Sequence, residues 1–328
     1  MSKLPALCAL VGIALLGGCS GSSPQPAPVQ SESAVTPTGV FFVEPDAPAV
    51  EQVVRWEGEG RAGDAAAMRR IAEAPTAVWF ADGAAHVERA QALVAAARAA
   101  GTTPVLVAYN VPQRDCGGHS GGGAADADEY RAWIAGLAGA LRGSPAVVIL
   151  EPDAVTHVLQ GCVPGAERFA LLDEAIRAFK QEPGIRVYLD GGNPGWVRDV
   201  DRVADALRRA GVERADGFSL NVANFETVEA NVGYGEEISR RLGGAHFVID
   251  TSRNGNGPAS VDARNAEGHW CNPAGRALGP APTTETGHPL VDAYLWVKRP
   301  GESDGACGEG APPAGQWWPE YALGLATN

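Results

Sequence analysis

The chain has 328 residues, 45% of them hydrophobic and 20% charged, with a formal net charge of −13. The length and apolar content suit one large core, such as an α/β barrel, and exclude a disordered chain. The acidic excess excludes a surface that reads nucleic-acid phosphates or docks on anionic lipid, since either needs basic residues in surplus.

Residues 1–19 open with Lys3, run apolar from Leu4 to Leu16 and end Leu16-Gly17-Gly18-Cys19. This is an export signal rather than a fold element. Its ending resembles a bacterial lipoprotein signal, in which Cys19 becomes the lipidated first residue and anchors the protein to the outer face of the cell membrane. An ordinary secretory signal that happens to contain a cysteine is the alternative, and either places the protein outside the cytoplasm. Residues 20–38 are Ser, Pro, Gln, Ala and Val with almost no bulky side chains. Such a stretch buries too little surface to fold and reads as a tether. The domain proper is 39–328.

Within it, short β-rich runs at Gly39–Val43, Ala77–Phe80, Pro104–Tyr109, Ala146–Leu150, Ile185–Leu189, Gly217–Asn221, His246–Ile249 and Ala293–Val297 alternate with helical stretches. The latter are Asp64–Ala74, Ala84–Ala100, Asp126–Leu141, Glu167–Gln181, Trp196–Ala210 and Glu226–Leu242, rich in Ala, Leu, Arg and Glu. This alternation predicts repeated βαβ units: an α/β fold with a parallel sheet and helices outside, closed into a barrel. Thr251 to His288, rich in Gly, Asn and Pro, reads as a long functional loop.

Of six cysteines, Cys8 leaves with the signal and Cys19 is the anchor; an even set of four in an exported protein reads as disulfides. Three pairings are possible. Cys116 and Cys162 each follow an acidic strand end, while Cys271 and Cys307 bracket the last apolar run, which favours Cys116–Cys162 and Cys271–Cys307. A zinc site is the competing reading, but there is no Cys-x-x-Cys and the six histidines are scattered, so no metal or cofactor is expected.

In a parallel barrel the chemistry gathers at the carboxyl ends of the strands. Successive runs there deliver Trp79 and Asp82, Tyr109 and Asp115, Glu151 and Asp153, Asp190 and Trp196, Asn221 and Asn224, Asp250 and Arg253, and Lys298, Glu302 and Asp304. Singly, an Asp at a strand end is more often a helix cap and a Trp more often core. Their recurrence on one rim shifts the balance towards a site. Asp115 and Asp153 suit acid/base work on a glycosidic bond, where one carboxyl stays protonated beside a negative charge. Trp79, Trp196 and Trp270 suit stacking on pyranose faces.

Tyr109-x-x-Pro-x-Arg-Asp115-Cys116-Gly with its small-residue run to Gly123, and Val147-Val-Ile-Leu-Glu151-Pro-Asp153, resemble the two signatures of glycoside hydrolase family six, which contains the inverting cellulases. Five further stretches around Asp190, Asn224, Asp250, Trp270 and Lys298–Asp304 are similar, in the expected order from Gly39 to the C-terminus. The resemblance implies a distorted barrel of seven parallel strands, leaving one of the eight runs outside. It implies Asp153 as general acid, Asp115 as the neighbour that tunes it and relays protons to water, and Asp304 as a candidate base. Tyr109, Trp79, Asp190, Trp196, Asn224, Trp270, Lys298 and Glu302 fall on positions that line sugar subsites, and the disulfide pairing agrees. One departure is Asn193 where the family often has His, which predicts an altered subsite preference.

The substrate this implies is a β-1,4-glucan or cello-oligosaccharide, attacked by a monomer that touches membrane only through its lipid. Because the interval from Asn221 to Asp250 holds a single helix, an open cleft and endo action are expected, with exo action as the alternative. Two rivals come from other classes. Gly118-His-Ser120-Gly-Gly122 fits the Gly-x-Ser-x-Gly of serine esterases, and an oligosaccharide-capturing lipoprotein would need two hinged lobes.

Overall fold

A computed structural model describes residues 40–81, 83, 85–260 and 269–328. The expected signal at 1–19 with Cys19, the tether at 20–38, and Asp82 lie outside the described residues.

Seven strands form one sheet in chain order: β1 Val78–Phe80, β2 Val105–Ala108, β3 Ala146–Leu150, β4 Ile185–Asp190, β5 Gly217–Leu220, β6 His246–Asp250 and β7 Val291–Leu295. Every neighbouring pair is parallel. The sheet curls until its edges meet just beyond β7. There the Ala77 N–H donates to the Trp296 carbonyl at 2.9 Å and the Trp79 indole donates to the Val297 carbonyl at 2.8 Å. Among the described residues no ladder joins β1 to β7, so the expected barrel is a distorted one rather than a fully hydrogen-bonded cylinder.

The connecting helices are α3 His86–Ala99, α4 Ala127–Ala140, α5 Ala154–Leu159, α6 Gly165–Phe179, α7 Val200–Arg209 and α8 Val228–Arg241. Helices α1 Pro48–Gly58 and α2 Ala62–Ala72 precede β1, and α9 Pro319–Thr327 ends the chain. Period-two alternation divides the strand residues between two cores. Leu106, Ala108, Val148, Leu150, Val187 and Leu189 pack outward under the helices, while Val105, Val107, Val147, Ile149, Tyr188 and Val248 fill the barrel interior. Each Val, Leu or Ile so buried contributes about 1.5–3 kcal/mol against exposure. A third cluster, including Trp56, Met68, Trp296 and Leu325, welds α1, α2 and α9 together.

Several expectations shift. The first β-rich run is not a strand of the sheet: Phe41 makes an isolated bridge to Thr103. Its apolar residues instead pack against the barrel, Phe41 inside and Phe42 outside. The last strand is Val291–Leu295, two residues earlier than the apolar run suggested. The helix expected from Trp196 begins at Val200, where Asp199 accepts the Arg202 N–H at 3.1 Å. The residues before it are spent on a turn at the rim. Helices α1, α5 and α9 were not anticipated; α1 and α9 begin at prolines, which suit a first helical turn.

Helix α8 approaches β6 closely through Gly235, where an added Cβ would lie 2.4 Å from two carbons of the Phe247 ring. Gly235→Ala is expected to cost about 1–3 kcal/mol, by overpacking. Denaturant unfolding checks this; an unchanged midpoint would contradict the close approach.

Candidate active site

At the carboxyl rim the backbone is unusual. Gln113, Asp115, Cys116, Glu151, Asp153, Asn221, Ala223 and Asn272 all have positive φ without being glycine. Such conformations cost of order 1–3 kcal/mol each and persist only where surrounding bonds impose them. They lie after β2, β3 and β5 and in the loop that carries Trp270, and three of them, Asp115, Asp153 and Ala223, line a cleft of about 910 Å³.

Trp79, Tyr109, Asp115, Asp153, Trp196, Asn224, Trp270, Lys298, Glu302 and Asp304 all line this cleft. Asp190 does not. It is 1% exposed and sits behind Asp153, accepting the Asp153 N–H at 2.9 Å and the Gly192 N–H at 3.3 Å through Oδ2, and the Ser219 hydroxyl at 3.3 Å through Oδ1. Its expected place on a sugar subsite is therefore corrected: it shapes the acid rather than touching the cleft. Strand alternation explains this, because Asp190 is the last residue of β4, inside the sheet rather than in the loop beyond it.

Asp153 caps the start of α5 in a left-handed conformation, φ 70°. Burial raises its proton affinity well above the usual carboxylate range, and the negative charges of Asp190 and then Asp115 add to this. The Tyr109 hydroxyl, 3.4 Å from Oδ2, opposes it. Asp115 was expected as a neighbour that raises it, and Asp190, not expected in this role, contributes more. Asp190 is itself raised to about 7, by burial first, against the backbone N–H bonds it accepts.

Asp304 is the opposite case. Burial pushes its proton affinity up, but Arg253 and Lys298 more than compensate and hold it below the ordinary value. Arg253 Nη1 donates to Oδ2 at 2.8 Å, the Asn272 N–H to the same oxygen at 3.0 Å, and Lys298 Nζ lies 3.4 Å from Oδ1. Asp250 is a brace: Oδ1 accepts the N–H groups of Ser252 and Val297, and Oδ2 those of Ala223 and Lys298, at 2.9–3.2 Å. One carboxylate thus fixes the loops after β5, β6 and β7.

Two of these organisers carried no role in the sequence analysis. Arg114 is buried and ties its own loop, donating to Tyr109 O at 2.8 Å, Ser120 O at 2.7 Å and Ala81 O. Arg253 is fully buried against Phe225 and Asp304. Arg114 directly precedes Asp115, so the motif held the signal, whereas nothing local marks Arg253 as buried. Asn193 lines the cleft and its Oδ1 accepts the Gly195 N–H at 3.0 Å, shaping the turn that presents Trp196.

Disulfides join Cys116 to Cys162 and Cys271 to Cys307, the pairing the sequence favoured. The first ties the Asp115 loop to the segment after α5, and the second ties the Trp270 loop to the Asp304 loop. His119 lies within 4.8 Å of the Cys271 and Cys307 sulfurs, but their mutual bond leaves no thiolate for a metal. Ser120 sits in the Gly-rich loop, well after β2 and before α4, with its N–H on Asp115 Oδ2 at 2.7 Å. That is no strand-to-helix elbow, and the described residues form one continuous βα series.

A family model described as glycosyl hydrolases family 6 matches residues 37–328. Endoglucanase A of Cellulomonas fimi is 44% identical over 296 residues, 89% of this chain but 62% of that protein's length. Endoglucanase 1 of Streptomyces halstedii is 42% identical over 90% of this chain and 91% of its own. Among solved structures, the endoglucanase Cel6 from Mycobacterium tuberculosis, in complex with a methyl-cellobiosyl-thio-cellobioside, superposes with a TM-score of 0.79 at 41% identity, covering 88% of this chain and 96% of that one.

The buried Asp190 carries a stability consequence. Because its folded-state proton affinity lies above the ordinary value, the native state loses stability as pH rises from the usual carboxylate range through about 7. Asp190→Asn keeps acceptors for Asp153 and Gly192 and does not ionise. It is expected to unfold a few degrees above the parent at about pH 8 and close to it at about pH 4, read by thermal unfolding at both.

Proposed function

The chain belongs to glycosyl hydrolase family 6, and on that premise we propose that it is an endo-acting β-1,4-glucanase that hydrolyses cellulose or a related β-glucan with inversion at the anomeric carbon. The observation that carries this reading is Asp153: an acid in a wide cleft, kept protonated by burial and by two neighbouring carboxylates.

In this mechanism the carboxyl of Asp153 gives its proton to the glycosidic oxygen as the bond to the anomeric carbon breaks. A water attacks from the opposite face, which inverting enzymes accommodate by setting the two carboxylates roughly 6.5–9.5 Å apart. Asp115, anchored by the Ser120 N–H, receives the water's proton through a further water. Asp304, bound by Arg253, Asn272 and Lys298, has low proton affinity and serves best as fixed negative charge beside the oxocarbenium-like ring. Trp79, held by its indole to Val297, and Trp196 and Trp270 offer faces for successive sugar rings, with Lys298, Glu302 and Asn224 as hydroxyl partners. Trp270 is 43% exposed and α8 is the helix between β5 and β6, which supports an open trough entered along the chain rather than from its end. Relatives named as endoglucanases agree.

Two disulfides support export, since such bonds persist in oxidising surroundings. Lipid anchoring through Cys19 and action as a monomer complete the reading.

Asp153→Asn is expected to lower kcat on cellohexaose by about 10²–10⁴, with KM little changed. NMR of the parent's fresh products is expected to show the α-anomer first. Parent-like turnover in the variant, or β-anomer from the parent, would contradict the assignment.

A further inference from the structure

Glu151 does not line the cleft. It is fully buried, and its carboxylate faces the loop that carries Asp115: the Asn110 N–H lies 3.0 and 3.1 Å from its two oxygens and the Val111 N–H 3.1 Å from Oε2. Its backbone serves the other acid. Its N–H donates to Ala108 O at 2.8 Å, and its φ of 47° begins the left-handed turn in which Asp153 follows at 70°. A single residue therefore fixes the start of both segments, the Asp115 loop by side chain and the Asp153 turn by main chain.

The surroundings fit a clamp. From α6, Arg168 donates to Pro112 O at 2.5 Å, holding the next residue of the same loop, and its charge faces the Glu151 carboxylate. From α4, the Tyr130 hydroxyl faces it too, and at the end of β2 the Tyr109 phenol feels its charge. A buried carboxylate is a costly way to satisfy two backbone N–H groups. Burial indeed lifts Glu151 to about 7 against those bonds, Tyr130 and Arg168.

We propose that Glu151 is a positioning residue: it sets where Asp115 stands relative to Asp153, and so how firmly the acid holds its proton. The inference rests on the role given to Asp153 above. If Asp115 moves away, Asp153 loses one of the charges that raise it, and the basic limb of kcat, where the protonated acid disappears, moves to lower pH.

The test compares Glu151→Ala and Glu151→Gln with the parent, each as the full chain. In the Ala variant, amide hydrogen exchange across residues 110–116 is expected to rise, kcat on cellohexaose to fall about ten- to hundredfold with KM within about threefold, and the basic limb to move down by about half to one pH unit. The Gln variant still offers an acceptor to both N–H groups and is expected to restore exchange and limb. Should the Ala variant not fold, Glu151→Asp, one methylene short of the loop, replaces it with the same signs. Unchanged exchange, or a lower kcat with the basic limb unmoved, would overturn the inference. A parent without hydrolytic activity would instead defeat the proposed function, and the exchange measurement would still decide whether Glu151 clamps the loop.

Discussion

A backbone N–H from Asp153 to the carboxylate of Asp190 is the contact on which the rest of the rim depends. It draws a second acid directly behind the first, in a place where neither is well solvated. Two buried carboxyls so close resist joint ionisation, and a proton is retained on the pair at pH values where a free aspartate has lost it. Elsewhere in the cleft the arrangement is reversed. Asp304 is surrounded by Arg253 and Lys298 and stays charged. The cleft therefore holds one carboxyl of raised proton affinity and one of lowered proton affinity, set by which acids have cationic partners.

The fold was legible where short continuous apolar runs recur between helical stretches. Strands β1 to β6 lie where those runs predict, because a strand buried on both faces leaves an unmistakable apolar segment. The run at Phe41 looked the same locally but makes only an isolated bridge to Thr103, and two hydrophobic residues can be buried without a ladder. Helix α5 was missed because six residues are too few to show a period, and it depends on the turn at Asp153 for its start.

The site was legible as a rim, not as a set of roles. Sequence order places Asp115, Asp153 and Asp304 after strands, but not which acids face solvent-filled space and which face inward. Asp190, Glu151 and Asp250 resemble the others in sequence, yet all three point into the protein and accept backbone N–H groups. The distinction is geometric, since a shift of one residue at a strand end turns a side chain from cleft to interior. Arg253 has the same invisibility, its burial becoming apparent only when Asp304 is placed beside it.

Both disulfides lie on the rim and none crosses the barrel wall. The framework is held by packing and by parallel ladders that no thiol reagent touches, whereas the crown of loops is stapled covalently. The two kinds of restraint are thus separable: the barrel's packing and ladders do not involve the cysteine sulfurs, and oxidation of the four cysteines tightens the crown alone. Preparations of equal purity and secondary structure are then distinguishable by a thiol titration.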